Sequence, residues 1–121
     1  MRLAAYQFDV TGDVQQNMEI VRRAVKQAAQ QKADLIVFPE CALSGYPPRN
    51  IDKAENIDKA AVEAALKEIR GLSDRLGISI IVGTAFFDQQ WYNRQLTIYV
   101  MISDHFRIPS KKYKMTDNKD Q

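Results

Sequence analysis

Apolar residues along the chain switch between two spacings, and the switches predict strand, helix, strand, helix and then a run of strands. Residues 2–8 are short and apolar-rich, and Asp9 with the Thr11-Gly12-Asp13 turn closes them off, which suits a buried strand. Asp13 is placed to cap a helix, because its carboxylate accepts from the free amides of the first turn. Val14, Met18, Val21, Val25 and Ala28 then recur at helical spacing to form one apolar stripe, with Gln16, Glu19, Arg23, Gln27 and Gln30 on the wet side. Residues 34–38, Asp-Leu-Ile-Val-Phe, read as a continuous apolar strand of the kind covered on both faces in α/β proteins. Strand, helix, strand in that order predicts parallel pairing. Ser44-Gly45-Tyr46-Pro47-Pro48-Arg49-Asn50 must be a loop, since two prolines exclude both helix interior and ladder pairing. Val62, Ala65, Leu66, Ile69, Leu72 and Leu76 mark a second helix that Gly77 ends in a left-handed cap. Residues 78–86 are a third buried strand, 92–102 its hairpin partner, and Phe106 with Ile108 suggests one more short strand before Lys111, Lys112 and Lys114.

Composition adds bounds. The 121 residues, 45% hydrophobic and 26% charged, fit one soluble globular domain. The net charge of +2 comes from 17 basic and 15 acidic residues scattered along the chain, so no single-sign field points to a nucleic-acid or membrane partner. Cys41 is the one cysteine, which excludes an intrachain disulfide and a multi-cysteine metal site and fits a reducing compartment, with cytoplasm expected. The amino terminus turns polar too early for a signal peptide, and no stretch is long enough to span a bilayer. The five glycines are dispersed, so no phosphate-binding loop is expected, and His105 has no ligand partners at metal spacing. No cofactor and no metal is expected. Trp91 and Tyr92 fit an aromatic pair at a hairpin.

The chemistry concentrates at Glu40. In open α/β sheets functional groups gather just past the carboxyl ends of strands, and Glu40 follows one through Pro39. Its carboxylate there starts from a partly desolvated place, which favours a general base; on position alone a capping or surface role fits as well. The neighbouring residues go further. Residues 34–48, DLIVFPECALSGYPP, resemble the signature of the nitrilase superfamily of carbon-nitrogen hydrolases, in which an apolar strand runs into Phe-Pro-Glu and then Gly-Tyr. Gln7, Gly12-Asp13, Asn17, Ile81-Val82-Gly83 and Asn93 extend the resemblance along the chain.

That resemblance implies an α/β fold: part of an α-β-β-α sandwich, a mixed sheet with two helices on one face. It implies a Glu-Lys-Cys triad in which the glutamate takes the thiol proton, the thiolate attacks a carbonyl or nitrile carbon, and the lysine stabilises the tetrahedral intermediate. Glu40 matches the general base and Lys112 the lysine, with Lys114 as its rival, and Tyr46 matches a residue at the pocket mouth. The nucleophile is expected beyond residue 121, which makes residues 1–121 a single, truncated, amino-terminal portion of the domain, inactive alone. Cys41 adjoins Glu40, but neighbours at a strand exit point apart, and a small buried hydrophobe is the better role. The implied activity is hydrolysis of a small amide, carbamoyl compound or nitrile by a homo-oligomer. The alternatives are the glutaminase domain of a glutamine-dependent NAD synthetase, which Ser44-Gly45-Tyr46-Pro47-Pro48 also resembles, and a non-catalytic assembly module.

Overall fold

A computed structural model of the chain describes residues 1–88, 90–98 and 112–114, with side chains as far as Ala85. Strands β1 (Leu3–Ala5), β2 (Leu35–Val37), β3 (Ser79–Asp88), β4 (Gln90–Ile98) and β5 (Lys112–Lys114) form one mixed sheet in chain order. β1, β2 and β3 run parallel, and β4 and β5 add antiparallel. Helices α1 (Val14–Gln30) and α2 (Lys59–Leu76) are the two crossovers, as the strand-helix-strand order requires.

The helices begin and end where the side chains say they should. Asp13 accepts from the amides of Gln15 and Gln16 at 2.9 and 3.2 Å and so starts α1. Asp58, which the sequence reading did not single out, does the same for α2 through the Ala61 amide at 3.0 Å. Gly77 closes α2 at φ 65°, and Ser73, fully buried, completes that end by donating from Oγ to the Ile78 carbonyl at 2.7 Å. The α1 stripe of Val14, Met18, Val21, Val25 and Ala28 is buried as its spacing demands. On α2 the buried stripe runs through Val62, Ala65, Ile69 and Leu72. It stops there: Leu76 is 39% exposed, and Ile78, between Gly77 and the start of β3, is fully buried at that end.

Both helices cover one face of the sheet. Ile36, Ile80 and Val82 point into them and are shielded almost completely, each contributing about 1.5–3 kcal/mol by leaving water. The registers Leu3↔Leu35↔Ser79 and Ala5↔Val37↔Ile81 alternate with that row and so place these residues on the opposite face. Leu3 is 61% exposed there, and Leu35, Val37 and Ile81 are half-buried. Strand ends differ from expectation: β1 stops at Ala5 rather than residue 8, with only the Tyr6 amide continuing the ladder, to the Val37 carbonyl at 3.0 Å. A short 3-10 turn, Ala54–Asn56, precedes α2 where the sequence showed no period. Phe106 and Ile108 lie outside the described residues.

Candidate active site

Two segments leave the sheet at the carboxyl ends of adjacent parallel strands, residues 6–13 after β1 and residues 38–53 after β2. Such a place collects functional groups because loops of separate crossovers meet there. Here they are clipped together by two asparagines. Asn17, fully buried on the first turn of α1, donates from Nδ2 to the Thr11 carbonyl at 2.7 Å and the Leu43 carbonyl at 3.0 Å. Its Oδ1 accepts from the Thr11 amide at 2.9 Å and the Thr11 hydroxyl at 3.2 Å. Asn50 donates from Nδ2 to the Val10 carbonyl at 2.8 Å and accepts from the Tyr46 amide at 2.9 Å. The backbones meet so closely that a Cβ on Gly12 would lie 2.6 Å from the Asn50 carbonyl oxygen, and one on Gly45 2.7 Å from that of Thr11.

The turn carrying Glu40 rests on β3 in the same way. The Phe38 amide donates to the Ile81 carbonyl at 3.0 Å, after which the chain lifts off the sheet through Pro39. A Cβ on Gly83 would stand 2.7 Å from the Cys41 nitrogen, 3.1 Å from Glu40 Cα and 3.2 Å from the Pro39 oxygen. A glycine on β3 is what lets residues 39–41 lie flat against the strand. Cys41 takes φ 52°, a left-handed value unusual for a side-chain-bearing residue, and its carbonyl accepts from the Gly45 amide at 2.9 Å. Ser44, also fully buried, accepts from the Ala85 amide at 2.8 Å and donates to the Gly45 carbonyl at 2.9 Å.

The result separates the two adjacent candidates. Cys41 faces inward and is completely buried, and Glu40 faces outward and is exposed. The expectation that Glu40 starts from a desolvated place is corrected accordingly: the left-handed step at Cys41 turns the thiol under the loop and leaves the carboxylate at the surface. Burial pushes the Cys41 thiol up to about 12, the Glu40 charge adds to the rise, and a Ser44 hydrogen bond works against it. A thiol so placed is protonated at neutral pH, the reverse of what activates a cysteine.

Glu40 and Tyr46 line one open cleft of about 730 Å³, together with residues 7–10, Pro39, Arg49 and Asn50. The sequence reading named neither Asp9 nor Arg49 for this site. Each is a charge in a loop directly following a strand end, which was the available signal. Lys112 opens β5 opposite Arg94 of β4, and Lys114 sits opposite Tyr92. Their side chains lie outside the described residues, as do Lys111 and His105, and two positions on one short strand are not separated by register alone. Among the described residues no group of three or more histidine, cysteine, aspartate or glutamate side chains could hold a metal ion, and no helix is long and apolar enough to cross a membrane.

The chain is similar to several known proteins. The carbon-nitrogen hydrolase family model matches residues 2–112. The glutamine-dependent NAD(+) synthetase of Aquifex aeolicus is 29% identical over 99 residues, covering 82% of this chain and 17% of that protein. That of Synechocystis sp. is 35% identical over 75 residues, covering 60% of this chain and 13% of that one. The crystal structure of an amidase from Nesterenkonia sp. superimposes with a TM-score of 0.69 at 26% identity, covering 80% of this chain and 37% of that one. The chain therefore spans less than a fifth of these two synthetases and less than two fifths of the amidase. A strand that runs into a turn presenting Glu40 over a cleft, and a family match through nearly the whole chain, lead to one statement: this chain belongs to the carbon-nitrogen hydrolase family.

Proposed function

We propose that residues 1–121 form the amino-terminal part of an enzyme that hydrolyses a non-peptide carbon-nitrogen bond in a small amide, carbamoyl compound or nitrile. The observation that carries this reading is Glu40, held out over the cleft by a turn braced on Gly83 and clipped by Asn17 and Asn50. In this reading the Glu40 carboxylate takes the proton from a cysteine thiol supplied outside these residues. The thiolate adds to the carbonyl carbon, Lys112 balances the negative oxygen, and the amine leaves with a proton. Water then cleaves the thioester and restores the thiol. Cys41 takes no part, because its thiol is buried and protonated.

The test is ammonia release from amides by a protein that contains these residues together with the nucleophile. Glu40→Gln is expected to lower kcat by about 10²–10⁴-fold, the usual contribution of a positioned general base, and Cys41→Ala to leave it within a factor of a few. Residues 1–121 alone should release no ammonia. Turnover by residues 1–121 that vanishes in Cys41→Ala would overturn the assignment of the nucleophile, and full activity in Glu40→Gln the assignment of the base.

Within this reading a glutaminase role is favoured by the synthetases that match the chain. L-Glutamine would then be hydrolysed faster than a simple aliphatic amide. A non-catalytic assembly role is favoured by the apolar sheet face opposite the helices, where Leu3 is 61% exposed.

A further inference from the structure

The segment that bears Glu40 is an arch with both feet on β3. Its first foot is Phe38, whose amide donates to the Ile81 carbonyl at 3.0 Å, and its second is Leu43, whose amide donates to the Gly83 carbonyl at 3.3 Å. Those footholds are two residues apart on the strand, about 7 Å, whereas the five steps from Phe38 to Leu43 could reach about 17 Å if extended. The surplus folds over β3 at Gly83 as a turn with Glu40 in it. Where Glu40 stands therefore depends on how firmly each foot is held.

The first foot follows directly on the β2–β3 ladder, next to the Val37↔Ile81 pair. The second belongs to no strand, and its own bond at 3.3 Å is long. Asn17 holds the Leu43 carbonyl from α1 at 3.0 Å, and Ser44 supplies the rest. A continuing parallel strand would offer a backbone carbonyl to the Ala85 amide. Here the Ser44 hydroxyl oxygen accepts from that amide instead, at 2.8 Å. The same hydroxyl donates to the Gly45 carbonyl at 2.9 Å and is hydrogen-bonded to the thiol of Cys41, the residue next to Glu40. Ser44 and Ala85 are both fully buried, so bulk water does not reach this amide to replace the hydroxyl.

We infer that Ser44 is a positioning residue: its hydroxyl, standing in for a ladder carbonyl opposite Ala85, sets the place of the Glu40 carboxylate over the cleft. The inference rests on the reading of Glu40 as the base and adds to it the side chain that places that base.

A double-mutant cycle tests it, by amide hydrolysis in a protein that contains these residues together with the nucleophile. Ser44→Ala is expected to lower kcat by about 10–10²-fold, as a misplaced catalytic group does, with KM held within about threefold. In a Glu40→Gln background the same change should lower kcat no further, because no carboxylate is left to place. Ser44→Thr keeps the hydroxyl and should keep most of kcat, whereas Ser44→Val, of the same shape without it, should behave as Ser44→Ala. An equal fall in both backgrounds, native kcat in folded Ser44→Ala, or equal losses in Ser44→Thr and Ser44→Val would overturn the role of Ser44 and leave the amide reading standing. So would failure of Ser44→Ala and Ser44→Val to fold beside a folded Ser44→Thr, since the hydroxyl would then hold the whole fold rather than the carboxylate. Native kcat in Glu40→Gln would remove the assignment of the base and this inference with it.

Discussion

Two glycines show how differently one missing methyl group acts. Gly83 has backbone atoms of residues 39–41 within 2.7–3.2 Å of where a Cβ would be, whereas Gly71, inside α2, has nothing within 4 Å. Gly83→Ala is expected to lower stability by about 1–3 kcal/mol, since backbone cannot swing aside as a side-chain tip can. Gly71→Ala should raise it by about 0.5–1 kcal/mol, because alanine loses less entropy in a helix. Urea midpoints at unchanged m decide both, and equal effects of one sign would contradict the geometry. Cys41 carries a pH prediction. Its folded thiol holds its proton up to about 12, whereas an unfolded thiol releases it near roughly 8.5. The folded state therefore keeps the proton longer, and this contribution to stability is complete below the unfolded value and lost as pH rises toward the folded one. The urea midpoint should fall more steeply between pH 8 and 10 in the native sequence than in Cys41→Ala; parallel profiles would remove the buried-thiol assignment. At this scale the sequence singled out Glu40 and Tyr46, which line the cleft, and the buried side chain of Cys41, because each belongs to one contiguous run. Asn17 was legible as a match but not as a clip, because its reach to Leu43 is created only when two loops fold against each other. Arg49 went unnoticed for the same reason.

Helices are held by their apolar stripes and caps far more than by the ion pair between them. Arg22 of α1 and Glu68 of α2 meet in a two-pronged contact, with Nη2 to Oε1 at 3.0 Å, but each side chain is 37% exposed. The Arg22 hydrogen bond holds the Glu68 carboxyl below the usual range, with burial acting against it and nearby positive charges adding to it. A carboxylate lowered on folding stabilises above its unfolded value, roughly 4.3 for glutamate, and that contribution is lost as pH falls through the lower folded value. Solvent screening limits its size: a double-mutant cycle with Arg22→Gln and Glu68→Gln should give a coupling of less than about 1 kcal/mol at pH 7. The coupling should shrink in high salt and at pH 3, and an energy independent of both would show that the two side chains act through packing instead. The elements themselves were legible where period and length agreed. α1 carries its stripe over about four turns and α2 over about three, so tertiary contacts had little to override. Strand limits were less so: apolar residues continue to Phe8, but after Ala5 the backbone leaves the ladder to build the cleft wall.

The sheet presents two unlike faces to its surroundings. One is sealed by helices, and the other shows Leu3, with Leu35, Val37 and Ile81 half-buried beside it. An apolar strip of this kind favours association. Sedimentation velocity of the 121-residue chain should show a mass that rises with concentration, and Leu3→Lys should shift it toward monomer. A concentration-independent monomer in the native sequence would argue that this face is covered by the chain's own remaining residues. The mixed sheet and its helix-covered face were foreseen from element order and the family resemblance, because parallel crossovers leave few arrangements. The join between the two loops was not, because no periodicity encodes which turn leans on which. Spatial order adds a consequence for how the chain is made. Strands lie side by side in the sequence in which they are synthesised, β1 to β5. Each newly emerged strand can therefore dock on the growing margin left by its predecessor, and no gap has to reopen to admit a late arrival. A ribosome delivering this chain from its amino end supplies the pieces in building order.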